Sequence, residues 1–303
     1  MLPMTEQNMF LYLWDIRDQE LARIIADGET SLARVLGLFQ SLNRRYTLEL
    51  EILRTMLPDG ATLDLLNGHG KWSPRGASSD NHPPPRLPDG TPLLSHTAVA
   101  GAATIHPNRS DYDRVAVHYL CDLIRTRNFD AIVELGSGLG ERLFEIYLGG
   151  GPANIPYFGA EYWESGRKGA DRLAALEPAL DFRSVPLDLM QPDLSFLDGF
   201  KNVLLFTNAC IYCVPNLPAD LPARLAAAAP QVTGVHFELI HHQFTAATDD
   251  LTDRADQRSH NQDFADTMMR AHYSGQIVME YIAPDAYMNS SGQLVTIMQW
   301  CKP

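Results

Sequence analysis

Apolar residues in the first part of the chain recur at helical spacing. Segments 5–26 and 29–57 both show it, with Leu32, Val35, Leu36, Phe39 and Leu42 on one face. Two helices are expected there, either covering an active site or a dimer interface, or packed as a layer on the main domain. From Leu57 to about Arg109 the period is lost and Pro, Gly, Asn and His accumulate, as in Asn81-His82-Pro83-Pro84-Pro85. Leu-Pro-Asp-Gly occurs at 57–60 and again at 87–90, an echo too short to be a structural repeat. Loops of this length are usually lids or linkers, and a lid over a substrate is the expectation for 58–109.

Beyond this stretch, strand-like and helix-like patterns alternate. Tyr112 to Ile124 reads as a helix, with Val115, Ala116, Tyr119, Leu120 and Leu123 apolar. Strands are expected near 130–135, 156–161, 181–187, 202–207, 232–239, 277–283 and 293–300, and helices near 139–148, 165–177, 217–229 and 260–274. Repeated βα units followed by two closing strands predict a doubly wound α/β sheet. The chain thus divides into an N-terminal helical and loop region, 1–109, and an α/β domain, 110–303.

The most informative chemistry lies at the first of these strands. Ala131, Ile132 and Val133 form a buried-strand run, and Gly136, Ser137, Gly138 and Gly140 follow before an apolar helix. A strand, a glycine turn and a helix N-terminus bring main-chain N–H groups close to a nucleotide or nucleoside-like ligand. A dinucleotide fingerprint requires Gly-x-Gly-x-x-Gly, and its third glycine position is Glu141 here. A phosphate loop would need Gly-Lys-Ser/Thr, which does not follow.

The run Val133-Glu134-Leu135-Gly136-Ser137-Gly138-Leu139-Gly140 resembles motif I of the class I S-adenosylmethionine-dependent methyltransferases. That resemblance covers roughly 110–303 and implies a seven-stranded Rossmann-like sheet whose last strand is antiparallel, with S-adenosylmethionine as cofactor. It implies that the backbone of Gly136, Ser137, Gly138 and Gly140 lies under the methionine and ribose part, with Glu134 helping to hold the amino group. Ligands of open α/β sheets sit beyond the carboxyl ends of the strands, which selects Glu161 and Asp188 next. Glu161 lies about twenty residues after the turn and is suited to accept hydrogens from both ribose hydroxyls. Tyr162 and Trp163 are candidates to shield the adenosine, unless they belong to the core. Asp188 matches the acid that contacts the adenine amino group, with Leu189 against the ring; alternatively Asp188 caps the segment after Pro192.

The fourth strand ends in Asn208-Ala209-Cys210-Ile211-Tyr212, which in this family faces the cofactor and the acceptor. It departs from the Asn/Asp-Pro-Pro-aromatic motif of some amino-group methyltransferases, which counts against adenine or glutamine N-methylation. It looks more like small-molecule methyltransferases with Asn-Ala followed by a later Pro, here Pro215. Asn208 and Tyr212 are acceptor-side candidates. The fifth strand runs into His236, Glu238, His241 and His242, and alternation puts His236 and Glu238 on one face. Any of these four could orient an acceptor or take its proton. Two histidines and a carboxylate could also form a facial metal triad, but the spacing is no known ligand motif and no metal is expected. Cys210-Ile211-Tyr212-Cys213 lacks a second pair and reads as two packed thiols. His260-Asn261-Gln262-Asp263 and Tyr287 to Ser291 could also reach an acceptor, though polar loop chemistry explains them equally well.

Composition narrows the choice of partner. The 303 residues suffice for a full core, and no apolar run approaches the roughly 20 residues of a membrane span. A formal charge of −13 argues against a broad nucleic-acid surface. Four cysteines are too few for a disulfide framework, and the first residues do not resemble a signal peptide, so a cytoplasmic protein with reduced thiols is expected. The expected function is in-line methyl transfer to a small-molecule acceptor, possibly with homodimerisation through the N-terminal helices. A peptide acceptor, a non-catalytic cofactor-binding partner and, less favoured, a nicotinamide oxidoreductase remain as alternatives.

Overall fold

A computed structural model describes residues 6–43, 95–99, 102–106, 114–214, 216–244, 261–288 and 294–303. Its elements begin with α1 (Glu6–Ala26), α2 (Leu32–Asn43), β1 (Ser95–Val99), β2 (Ala102–His106) and α3 (Val115–Thr126). Then come β3 (Ala131–Leu135), α4 (Glu141–Leu148), β4 (Tyr157–Glu161), α5 (Glu164–Ala174), β5 (Phe182–Pro186) and β6 (Asn202–Asn208). The chain closes with α6 (Leu221–Ala226), β7 (Gln231–Glu238), α7 (Phe264–Tyr273), β8 (Val278–Met288) and β9 (Leu294–Cys301).

The strands form one sheet in the order β2-β1-β8-β9-β7-β6-β3-β4-β5. From β5 to β7 all pairings are parallel, and β9 runs antiparallel between β7 and β8. Strand order reverses at β3 and β6, so a crevice opens there at the carboxyl ends. The seven strands from β3 to β9 form the expected doubly wound sheet with its last strand antiparallel, and helices cover both faces. Every residue of β3 and β4 is buried, which is why these strands read as unbroken apolar runs interrupted only by Glu134 and Glu161.

Several expectations need correction. The hairpin β1–β2 lies inside the stretch read as a loop, pairing from Ser95↔His106 to Val99↔Ala102 and joining β8 through Val99↔Tyr287. Its signal was two short segments with β-branched residues, overshadowed by the Pro- and Gly-rich surroundings. Strand β8 continues to Met288 rather than ending near 283, with its register broken between Ala283 and Tyr287, where Pro284 offers no N–H. The helix expected at 217–229 is confined to Leu221–Ala226. The far end of the second N-terminal helix, both Leu-Pro-Asp-Gly turns and the rest of the expected lid between 44 and 94 lie outside the described residues.

Helices α1 and α2 pack as a layer on one face of the sheet. Leu21, Ile24, Leu32, Val35, Leu36 and Phe39 are buried in one cluster with Leu120 of α3 and Leu143, Phe144 and Ile146 of α4. Asp18 of α1 accepts a hydrogen bond from Arg172 Nε of α5 at 2.8 Å, and Gln40 of α2 donates to Glu145 of α4 at 2.6 Å. On the other face, Leu221 and Leu225 of α6 and Phe264 and Met268 of α7 enclose Trp300 of β9.

Trp300 lies directly over Gly234 of β7, so a methyl group at that glycine would run into the indole. Gly234→Ala is expected to displace Trp300 and lower stability by about 1–3 kcal/mol, the usual cost of overpacking. Denaturant unfolding followed by tryptophan fluorescence checks this, and an unchanged midpoint would show that the sheet absorbs the methyl.

Candidate functional site

The turn after β3 requires glycine three times. Gly136, Gly138 and Gly140 have φ of 72°, 55° and 71°, in the left-handed region where a side chain is strained. The Gly136 and Ser137 N–H groups donate to Ala160 O at 2.7 and 3.2 Å, which pins the turn to β4. A side chain on Gly136 would collide with Cys210 of the β6 loop, and one on Gly138 with Trp14 of α1. The turn is thus walled by the sheet, the β6 loop and α1.

Carboxylates surround it. Glu161, at the end of β4, accepts the Gly138 N–H at 2.7 Å on Oε2 and the Trp163 N–H at 2.8 Å on Oε1. Burial raises its pKa above the ordinary carboxylate value, opposed by these backbone hydrogen bonds. Glu134, inside β3, is buried, and burial pushes its pKa well up. Among the described residues its Oε2 has no hydrogen-bond partner, nor do the buried hydroxyls of Ser137 and Ser165. Ser165 neighbours Gly166, which packs closely on Glu161 and on the Gly138 carbonyl. Glu141 stands in the first turn of α4, and burial raises its pKa too.

This charge pattern discriminates between ligands. A pyrophosphate at the N-terminus of α4 would face Glu134, Glu141 and Glu161, and the Gly138 N–H is already bonded to a carboxylate. A ligand with cationic charge and N–H or O–H donors would instead satisfy the orphaned atoms, whose burial without a partner is costly. The residues present therefore fit an S-adenosyl group better than a dinucleotide.

The rim of the crevice carries exposed apolar surface. Tyr162 is 57% exposed, next to Glu161, and Met190 is 41% exposed, near Asp188. Arg167 Nη1 donates to the carbonyls of Glu161 and Tyr162 at 2.7 and 2.8 Å and holds this strand end in place. Asp188 is exposed and closes its own turn, Oδ1 accepting the Met190 N–H at 2.8 Å, while Leu189 is buried. Sequence reasoning passed over Met190; its only signal was its position beside Asp188 and Leu189.

The fourth and fifth strands of the parallel set, β6 and β7, contain a buried polar relay. The Trp300 indole N–H donates to His236 Nε2 at 2.9 Å, so the imidazole proton is on Nδ1, which lies 3.0 Å from Thr207 Oγ1. Thr207 in turn bonds Glu238, whose carboxylate also accepts the N–H groups of Cys210, Ile211 and Tyr212. Burial lowers the His236 pKa to about 3 and raises that of Glu238 to about 7. His236 and Glu238, expected from the sequence to be among the residues that could orient an acceptor or take its proton, are thus both hydrogen-bonded inside the protein. Both are fully buried, with His236 in the core and Glu238 holding the β6 loop.

That loop brings Cys210 against Gly136 of the glycine turn, while Tyr212 packs on the cluster of Phe264 and Trp300. Ala209 has φ of 52°, a left-handed conformation that costs a non-glycine residue about 1 kcal/mol, and its N–H is fixed to Phe237 O at 2.8 Å. Burial drives the Tyr212 phenol and the Cys210 thiol well above their ordinary pKa values, so both remain protonated. All four cysteines are free thiols.

His241 and His242 diverge after β7. The Pro284 carbonyl accepts from His241 Nδ1 at 3.0 Å and from Thr296 Oγ1 at 2.8 Å, so the neutral His241 ring has Nε2 as its basic atom. His242 Nε2 lies 3.3 Å from the carbonyl of Asn261. Asn261 is fully buried and caps α7, accepting the Phe264 N–H at 2.8 Å while donating to Val214 O at 3.0 Å. His260 and Asn289 to Ser291 lie outside the described residues. Among the described residues no group of three or more His, Cys, Asp or Glu side chains is arranged to hold a metal ion, and no helix is long and apolar enough to cross a membrane.

No protein-family model and no curated protein matches the chain. Solved structures with a similar chain trace include EvdMO1, at TM-score 0.39 and 15% identity, over 65% of this chain and 41% of that one. The O-methyltransferase TomG from Streptomyces achromogenes, in complex with SAM, matches at TM-score 0.41 and 16% identity, over 62% and 80%. The geranyl diphosphate C-methyltransferase from Streptomyces coelicolor A3(2) matches at 0.46 and 12%, over 64% and 80%. The chain thus spans less than half the length of EvdMO1.

The relay makes stability depend on pH in a separable way. Glu238 has a folded pKa of about 7 against 4.5 ordinarily, so its contribution to stability is lost as pH rises from 4.5 to 7. His236, with a folded pKa of about 3 against 6.5, costs stability as pH falls from 6.5 to 3, and the two slopes oppose each other where they overlap. The stability of Glu238→Gln relative to the native chain should therefore rise between pH 4.5 and 7, by up to about 3 kcal/mol, and be flat above. Denaturant unfolding of both proteins across this range measures the difference, and parallel curves would refute the shifted Glu238.

Proposed function

We propose that the chain is a class I S-adenosylmethionine-dependent methyltransferase acting on a small-molecule acceptor by direct in-line transfer. The observation that carries this reading is the buried carboxylate ring around a three-glycine turn at the switch point of the sheet. Glu134 would take the ligand's ammonium group, relieving its orphaned oxygen. Glu161 would accept from the ribose hydroxyls, and Tyr162, Leu189 and Met190 would bound the adenine, with Asp188 near its amino group. The cofactor supplies an electrophilic methyl on a sulfonium, so alignment and exclusion of water are the protein's main contributions.

On the acceptor side, Asn208 and protonated Tyr212 would orient the nucleophile, and His241 Nε2 would receive its proton. Glu238 acts indirectly, by fixing the loop that presents Asn208 and Tyr212. Residues 110–303 would form the cofactor domain and 1–109 would shape the acceptor pocket. Four free thiols support a reducing, cytoplasmic setting. A nicotinamide cofactor is disfavoured because its pyrophosphate would meet three carboxylates.

Calorimetric titration with S-adenosylmethionine, S-adenosylhomocysteine and NADH tests the reading. Micromolar binding of the S-adenosyl ligands is expected, weakened about 10–100-fold in Glu134→Gln, the range of a hydrogen bond to a charged group. NADH binding without S-adenosyl binding would overturn it. Because burial raises the Glu134 and Glu161 pKa values and a cation favours their ionised forms, S-adenosylmethionine affinity should increase with pH. Titration in buffers of different ionisation heat should show protons released on binding; no proton release would argue against these carboxylates as the partners.

A further inference from the structure

Strand β8 leaves the ladder where it passes Thr296 of β9. Its pairing runs from Ala283↔Ile297 to Tyr287↔Val295, so Pro284, Asp285 and Ala286 together face Thr296. Such a bulge re-aims a group that regular pairing would have used. Pro284 has no N–H to return to the ladder. Its carbonyl is taken up by side chains instead, Thr296 Oγ1 donating to it at 2.8 Å and His241 Nδ1 at 3.0 Å.

The two donors are held differently. Thr296 is fully buried in β9 opposite Glu238 of β7, so its hydroxyl has a fixed origin. His241 is half-buried in the single turn His241–Gln243 that follows β7. Strands β7 and β8 both run antiparallel to β9, so both end at the carboxyl edge of the parallel strands, the edge at which the crevice opens. A carbonyl can only accept, so the neutral His241 ring keeps its proton on Nδ1 and its lone pair on Nε2. The partner of one imidazole nitrogen decides the state of the other.

We propose that Thr296 is a positioning residue for His241, its hydroxyl fixing the Pro284 carbonyl of the β8 bulge so that this carbonyl locks the imidazole with Nε2 free to take a proton. This rests on the methyltransferase reading above, in which His241 receives the proton of the acceptor. As the acceptor's lone pair takes the methyl group, the C–S electron pair returns to sulfur and the acceptor's proton forms an N–H on Nε2. The resulting imidazolium keeps Nδ1–H on Pro284 O, so the network needs no rearrangement as charge develops. The other tautomer would present an N–H where a base is needed.

Nitrogen-15 NMR of the full chain at alkaline pH reads the tautomer, because Nε2 couples to both carbon-bound ring protons and Nδ1 mainly to one. Native His241, identified by the signals lost in His241→Gln, is expected with its proton on Nδ1. Thr296→Val should mix the two tautomers, seen as the two nitrogen shifts moving toward each other. Thr296→Ser, which keeps the hydroxyl, should restore the native spectrum, whereas a packing role alone would lower the melting temperature without moving the tautomer. Thr296→Ala gives the same reading if the valine variant does not fold. A native His241 protonated on Nε2, or a folded variant without the hydroxyl that keeps the native tautomer, would overturn the assignment. Calorimetry with S-adenosylhomocysteine separates this from the cofactor reading, since native and Thr296→Val should bind it within about twofold of each other. A native chain that binds no S-adenosyl ligand would sink the methyltransferase reading, and the base role with it, whatever tautomer is found.

Discussion

The loop after β6 depends on one buried carboxylate. Glu238 lies at the end of β7, with its oxygens turned to the backbone N–H groups of residues 210–212 and to Thr207. Thr207 is tied through His236 to the Trp300 indole on β9. Three neighbouring strands are therefore linked by side chains as well as by the sheet ladder, and the link ends at the loop facing the glycine turn. Without Glu238, the N–H groups of Cys210, Ile211 and Tyr212 would lack their shared acceptor and Cys210 would lose its fixed place against Gly136. A site built on this arrangement has its shape set before any ligand arrives.

The same buried chemistry has a stability cost. Glu134, Glu161 and Glu238 are enclosed, and their pKa values are raised because burial disfavours the charged form. Glu238 and Glu161 recover part of this through backbone hydrogen bonds, whereas Glu134 has an oxygen with no described partner. A free protein that tolerates such a group gains a preference for ligands able to satisfy it. On the proposed reading, the local cost of burying Glu134 and the preference for an ammonium ligand would come from the same residue.

The N-terminal layer joins this site instead of standing apart from it. Its apolar face is used within the chain, against α3 and α4, while Trp14 and Asp18 reach the glycine turn and α5. The amphipathic spacing of Leu32, Val35, Leu36 and Phe39 identified a buried face correctly. It contained no information on which surface that face would cover, because periodicity records how much of a helix is buried and not against what.

The amino-acid sequence by itself determined the doubly wound sheet, the glycine turn and the strand-end acids Glu161 and Asp188. Each of these is encoded locally, in a buried run, a left-handed backbone position or a residue at a strand terminus. It also marked His236 and Glu238 as sharing one face of β7, but alternation says only that two side chains point the same way. That they point to Thr207 and Trp300, and so serve the core and the loop, was decided by β6 and β9 packing beside them. The hairpin β1–β2, the divergence of His241 from His242 and the approach of Trp14 to Gly138 likewise needed the tertiary structure. Each depends on partners far away in the chain, and local sequence contains no record of which distant residue will supply a hydrogen bond or fill a contact.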